Sequence, residues 1–311
     1  MKHNTKVTVI LMSMFIITQL VGLFVISVYE NPGKELPYGM EPPKELKQET
    51  SFISIIISFI IAIFLFLLLI RFRADTFIRL WFFLVTVLAI GLSVTAIFFI
   101  FKLNYAQFIA LIFAFPLAYM KIFKRDMYIH NITELLIYPG IAAVLVSMLN
   151  VLGIILFLLL ISLYDIWAVW YSEFMQKMAR YQINNLKFFT GFFIPYTDRK
   201  QRIKIKEIRD KFKKKGDKVL EKEFKKARIK VHLAILGGGD VVFPIIAAGV
   251  FYKTYGSIIP PLIIALFSTF ALLYLFIFAK KGKFYPAMPY ITIGIYLAMI
   301  LSWILMSFNL I

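Results

Sequence analysis

The chain contains no cysteine, which removes disulfides, thiolate nucleophiles and cysteine-based metal sites together. Histidine is nearly as scarce. His3, His130 and His232 are the only ones, and none stands in an HExxH pattern, so no metal site is expected. No GxSxG string appears, which argues against a serine nucleophile. Neither a solenoid repeat nor a convincing inverted repeat of the transporter kind is visible. Negative charge is also short, with 17 Asp+Glu against 35 Lys+Arg and a formal net charge of +18. No cofactor is expected from this inventory.

What is abundant is apolar. Hydrophobic residues make up 61% of the chain, with 33 Phe and 16 Tyr, and mean hydropathy is +0.82. An α-helix needs roughly 20 apolar residues to cross about 30 Å of hydrocarbon. Counting such stretches gives an all-α, polytopic membrane protein with about nine transmembrane helices, at about 7–28, 51–70, 80–101, 104–120, 132–149, 151–175, 231–252, 257–279 and 284–308. The third and fourth spans are separated only by Lys102 and Leu103, and the fifth and sixth only by Asn150, which predicts tight hairpins. The N-terminal apolar run exceeds a usual signal-peptide core and lacks a small-residue cleavage site, so it reads as a retained span.

An odd span count puts the termini on opposite sides, and the Lys/Arg distribution selects the inside. With the N-terminus cytoplasmic and the C-terminus outside, only Lys34, Lys44, Lys47, Lys102 and Lys253 fall outside. The chain then reads as a single membrane domain over 1–311, with six spans in 1–175, a basic cytoplasmic loop in 176–230 and three spans in 231–311. Attraction of that loop to anionic lipid headgroups accounts for the positive charge. No nucleic-acid-binding module accompanies it, so nucleic acid is not an expected partner.

Of the acidic residues, Asp165 and Asp240 read as the two well inside apolar spans. A carboxylate at membrane depth costs on the order of 2.5–3.5 kcal/mol on insertion scales and marks a functional position. On the expected boundaries each lies roughly 14 Å below the cytoplasmic surface, at about 1.5 Å per residue. Two carboxylates at one depth in a low dielectric share a proton and titrate as a unit. That is machinery for activating water on a peptide bond, and equally for moving a proton across a membrane.

The flanking residues narrow the choice. Asp240 ends Gly237-Gly238-Gly239-Asp240, and glycines weaken a helix by roughly 1 kcal/mol each while letting other backbones approach. Asp165 follows Tyr164, whose phenol reads chiefly as packing. Pro286-Ala287-Met288-Pro289 opens the ninth span, and its prolines keep a regular helix from running through it. The segment 187–196, KFFTGFFIPY, is too short to span and is broken by Gly191 and Pro195. It reads as a short extended piece at the membrane surface, serving either as an anchor or as a strand edge for a substrate.

Tyr-Asp in the sixth span, Gly-x-Gly-Asp in the seventh and Pro-Ala-x-Pro in the ninth resemble, in order and spacing, the presenilin and signal peptide peptidase family of intramembrane aspartyl proteases. Residues 175–179 (MQKMA) also look like microbial presenilin homologues. The resemblance covers roughly 150–308 at motif level and the whole chain in topology. It implies a presenilin-like fold, catalytic roles for Asp165 and Asp240, and an active-site-shaping role for Pro286 to Met288. Met288 stands where the family usually has Leu, a volume-conserving change. The resemblance further implies peptide substrates in the form of transmembrane helices, and a cytoplasmic N-terminus is similar to the presenilin branch. Membrane lipids are expected partners, and a homo-oligomer is compatible with the sequence. Two rivals remain. A prepilin-type peptidase also uses a GxGD aspartate but commonly has a Lys soon after it, where this chain has Val241-Val242-Phe243-Pro244. A proton-coupled secondary transporter would use a midplane acid pair and broken helices.

Overall fold

The computed structural model describes residues 5–31, 35–40, 48–72, 74–124, 126–172, 190–197, 232–279 and 285–308, together with 181, 201, 203 and 205–208. In chain order the helices are α1 (Thr5–Tyr29), α2 (Gln48–Arg71), α3 (Asp75–Ile100), α4 (Ala106–Tyr119), α5 (Met127–Met148) and α6 (Val151–Ile166). Strands β1 (Gly191–Tyr196) and β2 (His232–Gly237) follow and pair in a two-stranded sheet. Then come α7 (Gly238–Tyr255), α8 (Ile259–Phe278) and α9 (Met288–Ser307). Among the described residues, seven helical segments are long and apolar enough to cross a membrane, α1, α3, α4, α5, α6, α8 and α9. α4 and α6 each end in a π-helical turn, at Met120–Lys124 and Trp167–Tyr171.

The chain forms two compact units. One comprises 1–192 and 236–311 and carries all the helices named above; the other comprises 193–235. The expected basic loop, 176–230, falls mostly outside the described residues, as does the 175–179 string.

Helix boundaries follow local chemistry. The Asp126 carboxylate accepts the Ile129 N–H at 2.9 Å and starts α5, and the Asn150 side chain accepts the Gly153 N–H at 2.7 Å and starts α6. Each satisfies an amide that the first helical turn leaves without a partner. The expected hairpins are present. Leu149 and Asn150 alone join α5 to α6, and the α3–α4 turn takes Lys102 and Tyr105 through positive φ, 51° and 59°.

Small residues bring helices together where lipid offers no hydrophobic drive between them. Ala106, Ala110, Ala114 and Ala118 form a fully enclosed stripe on α4, which packs along α3. On α5, a methyl group at Gly140 would lie 2.0 Å from the Ala89 carbonyl oxygen of α3. Such backbone approach leaves no room for any side chain at that position. At the centre stands α7, with Val241, Ile245, Ile246, Ala247, Ala248 and Val250 all at 0% exposure. It packs against α1, α5, α6, α8 and α9. A helix buried on every side has little amphipathic pattern, which is what its sequence shows.

Two of the boundary shifts move the aspartates. The seventh helix starts at Gly238, because 232–237 is β2 and not the first turns of a span. The sixth helical segment ends at Tyr171. Asp240 therefore sits in the first turn of α7, at a helix end, while Asp165 sits where the α-helical part of the sixth segment passes into the π-helical turn that ends at Tyr171. A short apolar run such as HLAILG carries no periodicity that separates a strand from a buried helical turn.

Candidate active site

Asp165 is 5% exposed. Its Oδ2 accepts the Met288 backbone N–H at 3.0 Å. The physical reason lies in Pro286-Ala287-Met288-Pro289. α9 begins at Met288 with Pro289 in its second position, where a missing N–H costs nothing. The amides at that end have no partner within the helix, and a carboxylate is the natural acceptor at a helix N-terminus. The prolines thus aim amide donors at Asp165. Pro286 and Met288 are buried, while Ala287 and Pro289 are half-buried.

The same face of α9 continues the seam. Thr292 Oγ1 accepts from Ser162 Oγ at 2.7 Å, and the Tyr296 hydroxyl donates to the Ile155 carbonyl at 2.6 Å. Positions 288, 292 and 296 fall one above another at helical spacing. α6 and α9 are therefore joined by three hydrogen bonds along one stripe. Tyr164, adjacent to Asp165, is half-buried and tilts against Trp167 at a ring separation of 6.3 Å. Packing is its visible role.

Asp240 is half-buried and follows three glycines. Gly237 closes β2 and directly precedes α7. A methyl group on Gly237 would stand 3.1 Å from Asp240 Oδ2, so the carboxylate folds back over that residue. At Gly238 a methyl group would meet Cε1 and Oη of Tyr138, each at 2.9 Å. Tyr138 is 4% exposed and cannot readily yield. At Gly239 the nearest atom would be a Phe243 ring carbon at 3.4 Å, an ordinary contact. Of the three glycines, then, Gly238 is required by a neighbour, Gly237 is close to the acid it precedes, and Gly239 has room.

α7 is tied to its neighbours on either side of Asp240. Phe243 packs edge-to-face on Phe157 of α6 at 5.7 Å. Gln19 of α1 donates through Nε2 to the Val241 carbonyl at 3.0 Å. A cavity of about 250 Å³ opens beside the glycines, lined by Lys121, Glu134, Tyr138, Thr190, Gly238 and Gly239 among mostly apolar groups.

Sequence reading overlooked a third buried acid. Glu134, 1% exposed in α5, accepts from Lys121 Nζ at 2.6 Å. Placing the fifth span at 132 put Glu134 at its edge, whereas α5 starts at Met127. Asp165 and Asp240 are therefore not the only acids enclosed among the helices. The signal available was polar spacing: His130 and Glu134 stand four residues apart in an otherwise apolar stretch, with Lys121 just upstream.

Known proteins share this architecture. The family model for signal-peptide peptidase, presenilin aspartyl protease matches residues 12–307. A presenilin family intramembrane aspartate protease solved in space group C222 is similar, with a TM-score of 0.60, 17% identity, and coverage of 96% of this chain and 99% of that one. A structure of a presenilin family intramembrane aspartate protease in space group P2 gives a TM-score of 0.58, again at 17% identity, covering 95% of this chain and 96% of that one. Curated proteins gave no match. With the family model spanning nearly the whole chain, and with that fold around the motifs just described, the protein is a multi-pass integral membrane protein that belongs to the signal-peptide peptidase and presenilin aspartyl protease family.

Proposed function

We propose that the protein hydrolyses peptide bonds within transmembrane segments of other membrane proteins, using Asp165 and Asp240 as a catalytic dyad of the GxGD type. The observation that carries this reading is the hydrogen bond from Met288 N to Asp165 Oδ2. It joins two of the three motifs through one carboxylate, and α7, which carries the third, packs against both α6 and α9. A transporter would also use an acid pair and broken helices, and it is membership of an aspartyl protease family that favours hydrolysis.

In this mechanism the two carboxyls share one proton. The ionised one takes a proton from water, and the water oxygen adds to the scissile carbonyl carbon as the protonated one donates to the carbonyl oxygen. The resulting diol collapses when its nitrogen gains a proton and the C–N bond breaks. The products are a carboxylic acid and an amine, and no covalent enzyme intermediate or metal is involved. A helical substrate has no peptide bond open to attack until it is unwound. β2 ends at Gly237, directly upstream of the first turn that bears Asp240. A substrate segment pairing with a strand there would present extended backbone beside the acid. The Lys/Arg distribution supports a cytoplasmic N-terminus, an external C-terminus and substrates whose own N-terminus lies outside.

The test is cleavage of a labelled membrane-span peptide by purified protein, repeated with Asp165→Ala and Asp240→Ala. Cutting by the wild type and by neither variant is the expected result. Equal cutting by either variant would remove that residue from the mechanism. Proton-coupled solute uptake into proteoliposomes, without cleavage, would favour the transporter.

A further inference from the structure

On α5, His130, Glu134 and Tyr138 fall at four-residue intervals and so share one face. That face meets the start of β1 and the start of α7. Glu134 Oε1 accepts the Gly191 N–H at 3.2 Å, and His130 Nε2 lies 2.8 Å from the Gly191 carbonyl oxygen. Both backbone groups of one glycine are thus taken by side chains of one helix. Gly191 has φ 141°, a backbone conformation that L side chains rarely adopt. The next residue, Phe192, is 0% exposed and packs edge-to-face on Tyr138 at 5.6 Å. Tyr138 in turn presses on Gly238.

The polarity of this network is determined by its ends. A carbonyl only accepts, so His130 Nε2 carries a hydrogen. In the neutral ring Nδ1 is then an acceptor, and Lys121 Nζ supplies it at 3.2 Å while also donating to Glu134 at 2.6 Å. Lys121 and Glu134 are 4% and 1% exposed. The ammonium and carboxylate offset one another, and the neutral imidazole passes the donor sense on to Gly191.

We propose that Lys121, His130 and Glu134 are positioning residues for proteolysis: they clamp Gly191, and through Phe192 and Tyr138 they set where β1 begins relative to the Gly237–Asp240 turn. The clamp determines which substrate bond stands opposite Asp240. This rests on the protease reading above. A side chain that holds only one backbone site would otherwise have little need of an enclosed ion pair, whose partners are costly to bury.

The test uses the full-length protein in detergent, with His130→Leu and His130→Gln. Both leave the Lys121–Glu134 pair intact, and glutamine retains an N–H near the Nε2 position. Two readouts are taken, amide hydrogen exchange at 191–192 and the products of a labelled membrane-span peptide by mass spectrometry. In His130→Leu, exchange at Phe192 and its neighbours rises about ten-fold or more as local opening becomes easier. Cleavage spreads over adjacent bonds and kcat falls by about 10- to 100-fold, in the range a displacement of about 1 Å costs. In His130→Gln both readouts return toward wild type. Unchanged exchange in His130→Leu overturns the clamp. Raised exchange with the wild-type product pattern and rate overturns its positioning role, as does an equal loss of activity in both variants with the bond choice unaltered. Failure of the wild type to cut any peptide strikes the protease reading itself, and the exchange result still decides whether the clamp exists.

Discussion

The two motif aspartates are held in opposite ways. Asp165 lies on a seam of neutral hydrogen bonds between α6 and α9, is almost wholly enclosed, and takes a backbone amide directly. Asp240 begins a helix, is half-buried, and faces glycines whose neighbours are Tyr138 and Phe243. Beyond Tyr138, that side is organised by a buried ion pair and a cavity. The difference is one of surroundings: α9 presents a backbone amide to one acid, and packed glycines shape the turn that carries the other.

If the two acids act as one dyad, their difference in setting disappears in catalysis. Asp165→Asn and Asp240→Asn each lower kcat by about 10² to 10⁴-fold, the usual contribution of a positioned acid or base. A near-wild-type rate in either variant, measured as initial rates on one peptide, would mean that the acid it replaces is dispensable. The glycines provide the next largest effect. Gly238→Ala forces a methyl group against Tyr138 and costs about 1–3 kcal/mol as overpacking, whereas Gly239→Ala is neutral or stabilising by up to about 1 kcal/mol. Thermal unfolding of the two variants separates them, and similar melting would undo the steric account of Asp240's side.

On the Asp165 side, Thr292→Val removes a buried acceptor and leaves the Ser162 hydroxyl without its partner, for about 1–3 kcal/mol. Adding Ser162→Ala recovers part of that loss, because two apolar groups cost less than one orphaned hydroxyl. No recovery in the double variant would show that the seam is held by packing instead. The smallest expected change is in Gln19→Leu, which removes one hydrogen bond from outside either seam and costs about 0.5–1.5 kcal/mol in melting, with bond choice unaltered.

Much of this was legible before the fold. Hydropathy located the helical segments to within about five residues at every end but the start of α7, and Asn150 marked a hairpin because it alone separates two apolar runs. The motif order carried Asp165, Asp240 and Pro286 to Pro289 to the right helices. β2 was illegible as a strand, since His232 to Gly237 is apolar and continuous with α7, and its pairing with β1 depends on residues some forty positions away in sequence. Glu134 was missed for a different reason. Its cost is offset by Lys121, which belongs to another helix, and a window along the chain weighs each span alone. The three-hydrogen-bond stripe on α9 was likewise hidden, because Thr292 and Tyr296 are ordinary residues until α6 is beside them.

The turn between α5 and α6 has a mechanical meaning. Leu149 and Asn150 are all the chain between Met148 and Val151, a tether of roughly 10 Å at full stretch. α5 and α6 do not pack along one another, and each packs on α7 instead, so the tether joins two diverging helices at one end. Any change in their separation pivots at Asn150 like a pair of tongs. The fulcrum is at one end, and the travel is greatest at the other, where α5 carries His130 and Glu134 and α6 carries Asp165.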